Sequence, residues 1–463
     1  MMKYCIFNHK TNKCHIMDNP YDFAFYRKND RFKILISSSE SEINQFIKDN
    51  KMNDDDLYKS FFDDLNDEQC NALKKTQNNE DLFITGAPGT GKSFIINRIV
   101  KLLEYNNKNV ALTATTGCAA YNINGITIHS LLALKIFSMD VDKHIDFISK
   151  KRKHIVKRIQ SIDTMIIEET SMLSDELCNF ICNLFKRIRK KDKPFGGCQM
   201  IFVGDFFQLP PVSGNFCFMS ESWNKLNPKI INLKQNIRQK DDDVFKYILS
   251  KIRTGKVSKQ IFEYLKSLQS NNNIYHTKLF PINNNVEKIN NIEISKLKDG
   301  RKFFYYKASL KNIKNDFDAS QYDITLCEGA QIIILRNIDL TNGIVNGTRG
   351  KVIGLSENCI YVSTINDKIV NVNFHTEFTD NTETQSITYM PIKLAYALSI
   401  HKSQGMTIDF LELDLGNNIF EYGQAYTALS RGRTLNNIKI TNISREAFKT
   451  HPEVVNFYNK NTL

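Results

Sequence analysis

The sequence predicts an α/β protein in which parallel strands alternate with helices. Three observations predict it. Residues 86–93 read GAPGTGKS, preceded by the apolar Leu82-Phe83-Ile84 and followed by the helix-like SFIINRIVKLL. Apolar runs of buried-strand length then recur as NVALTAT, TMIIEE and QMIFVGD, with helical periodicity between them. A second series of this kind begins near Ile230, and two α/β units in one chain imply a cleft. At 463 residues the chain also exceeds what one core usually organises.

Taken in order, residues 1 to about 50 alternate apolar and polar (YCIF, FAFY, FKILI) and close with the helical ESEINQFIKDN, which predicts a small β-rich appendage over 1–55 of unreadable role. The acidic stretch Asp54 to Asp67 leads into LNDEQCNALKK and the glycine-rich loop. Between TMIIEE and QMIFVGD, residues Leu177, Phe180, Ile181, Leu184, Phe185 and Ile188 recur at helical spacing with Ser174 as cap, so Cys178 and Cys182 belong to a core stripe. In the second series Phe245, Ile248, Leu249 and Ile252 mark a helix stopped by Gly255. Residues 351–374 read as short strands around an Asn366-Asp367 turn, a β-meander inside an α/β region. Trp223, the single tryptophan, reads as a core anchor.

GAPGTGKS matches G-x-x-x-x-G-K-[ST], so Gly86, Ala87, Pro88, Gly89, Thr90, Gly91, Lys92 and Ser93 form a phosphate loop. Its glycines let successive N–H groups and a helix N-terminus face phosphates, while Lys92 reaches the β- and γ-phosphates and Ser93 takes Mg²⁺. Hydrolysis of a nucleoside triphosphate is the expected chemistry. Glu168 and Glu169 end an apolar strand where carboxylates stand beside such a loop, one to hold Mg²⁺ and one to orient the attacking water. Gln208, in GDFFQLPPV, is a neutral amide placed to sense the γ-phosphate, or else a turn cap before Pro210-Pro211. Arg238 and Arg431 can each supply a guanidinium to the transferred phosphoryl group, although either taken alone is more often a surface ion pair.

Lysine and arginine number 62 against 50 acidic residues, and the net charge of +12 is scattered, which favours a polyanionic partner such as nucleic acid over an acidic protein, with a merely soluble basic protein as the other reading. The basic runs at 150–158 and 186–193 read as solvated helix faces, with DNA backbone contact or nuclear localisation as the other readings. Ten cysteines, dispersed without C-x-x-C pairs, indicate reduced thiols of an intracellular protein. Cys5, His9, Cys14 and His15 lie close together, but their spacing fits no common zinc site. No apolar run reaches the length of a membrane span and no signal-peptide core opens the chain, so a soluble protein of nucleus or cytoplasm is expected.

Together the blocks LNDEQ, GAPGTGKS, ALTATTGCAA, GITIHS, IIEETSM, PFGG, GDFFQLPPV, NIRQ, VNGTRG, SIHKSQGMT and GQAYTALSR stand in an order that resembles superfamily 1 DNA helicases of the Pif type, with RecD-like and Dda-like helicases as relatives. The resemblance spans residues 65 to about 442. It implies two RecA-like domains, 56–215 with a small wedge insertion about 121–148, and 216–463 with an SH3-like β insertion about 345–390. It further implies ATP and Mg²⁺ as cofactors, 5′→3′ movement on single-stranded DNA, forked or tailed duplex as substrate, and action as a monomer. A protein-stripping translocase, or an ATP-gated DNA-binding module without hydrolysis, is the alternative. By position, the resemblance makes Gln69 the reader of adenine, Lys92 and Ser93 the phosphate and metal contacts, and Glu169 the catalytic carboxylate. Gln208 becomes the γ-phosphate sensor, Arg238 and Arg431 the groups reaching across the cleft, and Thr116, His129, Ser130, His401 and Lys402 the DNA contacts. One departure stands out: Glu168 occupies a position where the family usually has Asp.

Overall fold

A computed structural model describes residues 61–134, 140–236, 242–268, 277–297, 300–312, 319–336, 348–364, 368–378, 386–408 and 410–461, with three short strands before residue 38 and residues 58, 338, 339 and 344. Those first strands, β1 (Lys3–Asn8), β2 (Lys13–Met17) and β3 (Phe32–Ser37), form an antiparallel sheet of order β2-β1-β3. FAFY and ESEINQFIKDN lie outside the described residues.

The first α/β unit is a six-stranded parallel sheet. Its strands are β4 (Leu82–Gly86), β5 (Val110–Ala114), β6 (Ile126–Thr127), β7 (Thr164–Glu168), β8 (Gln199–Gly204) and β9 (Lys229–Leu233), in the order β6-β5-β7-β8-β4-β9. β4, β7 and β8 are buried at every residue, which is why their sequences are continuous apolar runs rather than alternating ones. Register sets the functional edge: Thr85 pairs with Gly204, and Glu168 with Val203, so the phosphate loop, the acidic pair and the GDFFQ segment leave the sheet at one level. The helix Asp175–Arg189 is capped by Ser174 and buries Leu177, Cys178, Phe180, Ile181, Cys182, Leu184, Phe185 and Ile188, as its spacing predicts.

Strand β9 corrects the sequence reading. The second α/β series was expected near Ile230, and the second unit from residue 216, yet Ile230 pairs in parallel with Phe83 and β9 is the edge of the first sheet. An apolar five-residue run carries no mark of which sheet it joins. The second unit follows with the helix Asp243–Arg253, whose buried residues are Phe245, Ile248, Leu249 and Ile252 and which ends before Gly255 at φ 71°. Its own sheet runs in the order Ala397–Ser399, Thr277–Phe280, Leu411–Leu415, Ile438–Ile443, all neighbours parallel.

Inserted in this second unit is a five-stranded antiparallel sheet, ordered Ile369–Asn373, Cys359–Thr364, Arg349–Leu355, Gln331–Ile334, Ile392–Leu394. It contains the expected meander, closes over its own core of Ile332, Ile334, Val352, Ile360, Val362 and Val372, and has its Asn366-Asp367 turn outside the described residues. The last helix, Pro452–Lys460, returns to the first unit. Phe457 packs with Phe83, Phe206, Phe218 and Trp223, and the Tyr458 hydroxyl lies 2.5 Å from Thr85 Oγ1. Trp223 is thus a core anchor. Among the described residues no helix is long and apolar enough to cross a membrane.

Of the basic runs, Lys150 pairs with Asp146 and Arg187 with Asp142 on exposed helix faces, and the part-buried Lys186 pairs with Asp192 just beyond its helix. Arg189 differs: it donates to the carbonyls of Ile159, Ile162 and Gly196 and locks the helix end in place. No side chain of Cys5, His9, Cys14 and His15 is among those described, and among the described residues no cluster of three or more His, Cys, Asp and Glu is placed to hold a metal ion.

Candidate functional site: a nucleotide cleft between two α/β units

Gly86 ends β4 where a Cβ would meet Thr90 Oγ1 at 2.6 Å and the Leu233 carbonyl at 2.7 Å, so only glycine fits between the loop and β9. Gly91, at φ 86°, turns the loop into the helix Lys92–Tyr105 in a left-handed conformation that favours glycine. Lys92 Nζ rests on the loop's own carbonyls, Gly86 O at 2.8 Å and Ala87 O at 3.1 Å. Thr90 is buried, its hydroxyl donating to the Ala87 carbonyl at 2.9 Å, and braces the loop from inside.

Across the sheet edge Ser93 Oγ donates to Glu168 Oε1 at 2.9 Å, while Glu168 Oε2 is buried with no hydrogen-bond partner among the described residues. Burial first, then the charge of Glu169, push the Glu168 carboxyl up to about 8, against the Ser93 hydroxyl and Lys92. A buried carboxylate with an orphaned oxygen, a serine hydroxyl and a second carboxylate make an all-oxygen donor set that suits Mg²⁺. Glu169 adopts φ 55°, ψ 45°, which ends the strand abruptly. Consecutive strand residues face opposite sides, and this turn lets both carboxylates line one cleft.

The cleft encloses about 260 Å³ and is lined from the first unit by the loop, Glu168, Glu169 and Gln208, and from the second by Gly405 and Arg431. Arg431, 2% exposed, donates through Nη2 to Gln208 Oε1 at 3.1 Å and through Nε to the Thr427 carbonyl at 3.0 Å. The helix carrying it, Gln424–Leu429 and its C-terminal turn, sits hard against the GDFFQ segment: a Cβ on Gly423 would fall 2.3 Å from the Phe207 carbonyl. Asp205, fully buried, takes the Arg253 guanidinium at 2.9 and 3.1 Å and the Tyr426 hydroxyl at 3.0 Å, with Arg253 stacked 4.3 Å over Phe207.

A PIF1-like helicase family model matches residues 64–262, and a second model, the 2B domain of DNA helicase Pif1, matches residues 319–355. The ATP-dependent DNA helicase Pif1 of Bdellovibrio bacteriovorus is 32% identical over 85% of this chain and 92% of its own length. The chain belongs to the Pif1 helicase family. The zebrafish ATP-dependent DNA helicase PIF1 is also 32% identical, but this chain spans only 64% of it. Among solved structures the Pif1 helicase of Candida albicans superposes with a TM-score of 0.78 at 31% identity, covering 86% of this chain and 99% of the other. A Bacteroides Pif1 in complex with ADP-AlF3 and single-stranded DNA gives 0.71 at 27%, over 86% and 97%. This Pif1-type chain therefore carries the RecA-like α/β architecture of ATP-dependent DNA helicases.

Of the residues singled out in the sequence, the structure gathers the phosphate loop, Glu168, Glu169, Gln208 and Arg431 at one cleft. Arg238 lies outside the described residues. Gln69 stands at the start of the helix Asp67–Gln77, where its Oε1 accepts from Asn66 N at 3.2 Å in a capping box, and its Nε2 is a buried donor with no hydrogen-bond partner among the described residues. Thr116 caps the short helix Gly117–Asn122 by accepting from Ala119 N at 3.2 Å. His129 and Ser130 are exposed on the helix Ile128–Leu132, and Lys402 is exposed beside the half-buried His401, whose ring stacks on Phe420. Sequence reasoning missed Asp205, Arg253 and Gln404, the last within the quoted block SIHKSQGMT.

Proposed function

We propose that the chain hydrolyses ATP and uses the cycle to move 5′→3′ along single-stranded DNA and separate duplex ahead of it. The observation that carries the proposal is the cleft itself, because phosphate loop, paired carboxylates and Gln208 stand on one unit and Arg431 on the other. A triphosphate there places its β- and γ-phosphates at the loop N–H groups, and Lys92, released from the Gly86 and Ala87 carbonyls, turns to them. Gln69 Nε2, a buried donor with no partner among the described residues, suits an acceptor on adenine. Ser93 and Glu168 hold Mg²⁺, which when bound neutralises charge on the phosphate oxygens.

In this reading Glu169 takes the proton of the attacking water. Gln208 senses the γ-phosphate, and Arg431 with Arg238 stabilises the charge that develops on it. Hydrolysis then relaxes the Gln208–Arg431 contact and lets the two units part, so that Thr116, His129 and Ser130 on the first and His401 and Lys402 on the second grip DNA in alternation. The solved Bacteroides complex with single-stranded DNA supports the same partner here.

Strand displacement on matched duplexes with a 5′ or a 3′ tail tests the proposal, beside Lys92→Ala as control. Displacement confined to the 5′-tailed duplex, with ATPase stimulated by a single-stranded oligonucleotide, is expected. Turnover without displacement on either duplex would leave a protein-stripping translocase. No turnover at all would leave an ATP-gated DNA-binding module.

A further inference from the structure

Gln404 belongs to the second unit, yet its amide lies in the first unit's catalytic corner. Nε2 donates to Glu169 Oε2 at 3.2 Å and to Ser171 Oγ at 3.2 Å, and the residue is 1% exposed. The orientation of the amide follows from chemistry: an ionised carboxylate only accepts, so the NH₂ end must face Glu169. The other end, Oε1, is buried with no hydrogen-bond partner among the described residues. The backbone beside it is held just as closely. Asn122 Nδ2 donates to the Gly405 carbonyl at 2.8 Å, and Gly405, at φ 80°, brings its Cα within a Cβ's reach of Ala119.

We propose that Gln404 is a positioning residue for hydrolysis, which fixes the Glu169 carboxylate from across the cleft and leaves Glu169 Oε1 to take the proton of the attacking water. This rests on the reading of Glu169 given above. A carboxylate at a left-handed turn after a strand has side-chain freedom that the strand no longer restricts. A donor to one of its oxygens removes that freedom, and the donor comes from the other unit. Gln404 follows His401 and Lys402 by only three and two residues, so the segment that faces DNA in the proposed cycle also carries the group that sets the carboxylate. Hydrolysis is thereby conditional on how this segment is seated.

The test is steady-state ATPase of the full chain with saturating oligo-dT, for Gln404→Met, which keeps length and volume, and Gln404→Glu, which keeps shape and sets a carboxylate against Glu169. Misplacing a catalytic group by about 1 Å costs on the order of 10²-fold in rate, and a hydrogen bond to a charge is worth about tenfold or more. The expected result for Gln404→Met is therefore a kcat lower by about 10- to 100-fold, with KM for ATP and oligo-dT affinity within about twofold of wild type. Gln404→Glu should fall at least as far. A kcat within about twofold of wild type in Gln404→Met overturns the inference, as does a loss of oligo-dT affinity equal to the loss of kcat. Should the methionine variant fail to fold, the same criteria apply to Gln404→Glu. Glu169→Gln separates the two readings: if it turns over normally, both fail, whereas an inactive Glu169→Gln beside a normal Gln404→Met sinks this inference alone.

Discussion

Replacing Glu168 by Gln removes one ionisation while keeping the shape of the cleft, and the structure sets the direction and size of the effect on stability. In the folded chain burial and the neighbouring Glu169 charge push this carboxyl up to about 8, whereas its ordinary value is 4.5. Between those values the folded protein keeps a proton that the unfolded chain has released. The stabilisation from this group is therefore complete below about 4.5 and is lost as pH rises through about 8. Within that window each pH unit is worth about 1.4 kcal/mol. Glutamine has no such proton, so wild type should lose stability relative to Glu168→Gln by about 2 kcal/mol between about pH 6 and about pH 7.5. Urea unfolding midpoints of both proteins in chelator, across that range, measure it. Adding Mg²⁺ with a non-hydrolysable ATP analogue should flatten the wild-type curve, because binding the cation selects the ionised carboxylate. Parallel curves for the two proteins in chelator would refute the reasoning, since they would show that Glu168 is ionised throughout.

Three further outcomes are expected. Arg431→Ala and Arg238→Ala should each lower turnover by about 10³- to 10⁵-fold with circular dichroism unchanged, and near-normal ATPase in either would return that arginine to an ion-pair role. Glu168→Asp should keep or raise turnover, because a metal contact through water absorbs a change of one methylene, while Glu169→Gln should eliminate it; ATPase rates over a Mg²⁺ titration check both. Arg253→Met leaves the buried Asp205 carboxylate without its guanidinium and should cost about 3 to 5 kcal/mol in urea unfolding, whereas the double replacement with Asp205→Asn should recover part of that loss.

How much could be read in advance follows from where each signal resides. The phosphate loop, the strands around it and the helix Asp175–Arg189 are legible because glycine spacing and apolar periodicity are local, and local sequence decides them. Strand β9 was given to the wrong unit because pairing with β4 is a long-range choice that a short apolar run does not encode. Gln404 sits in a recognised block, but its meaning depends on Glu169, 235 residues away, and no pattern along the chain links the two. Asp205 is equally silent: beside Gln208 it reads as part of a turn, and only folding brings Arg253 and Tyr426 to it. Gln69 is singled out only by the resemblance, and what the structure adds is its capping of the helix Asp67–Gln77, which leaves Nε2 with no hydrogen-bond partner among the described residues.

The return of the helix Pro452–Lys460 to the first sheet means that the polypeptide passes between the units twice, once after Leu233 and again before Pro452. A single tether would leave one body free to slide, twist and drift on the other. Two passages act as two pins of a door. Thr450 Oγ1 near the second pin donates to the Arg253 carbonyl at the foot of the helix entered through the first, so the pins are linked as well. Both crossings limit how far the units can part close to them, so any separation has to be widest away from the line that joins the two.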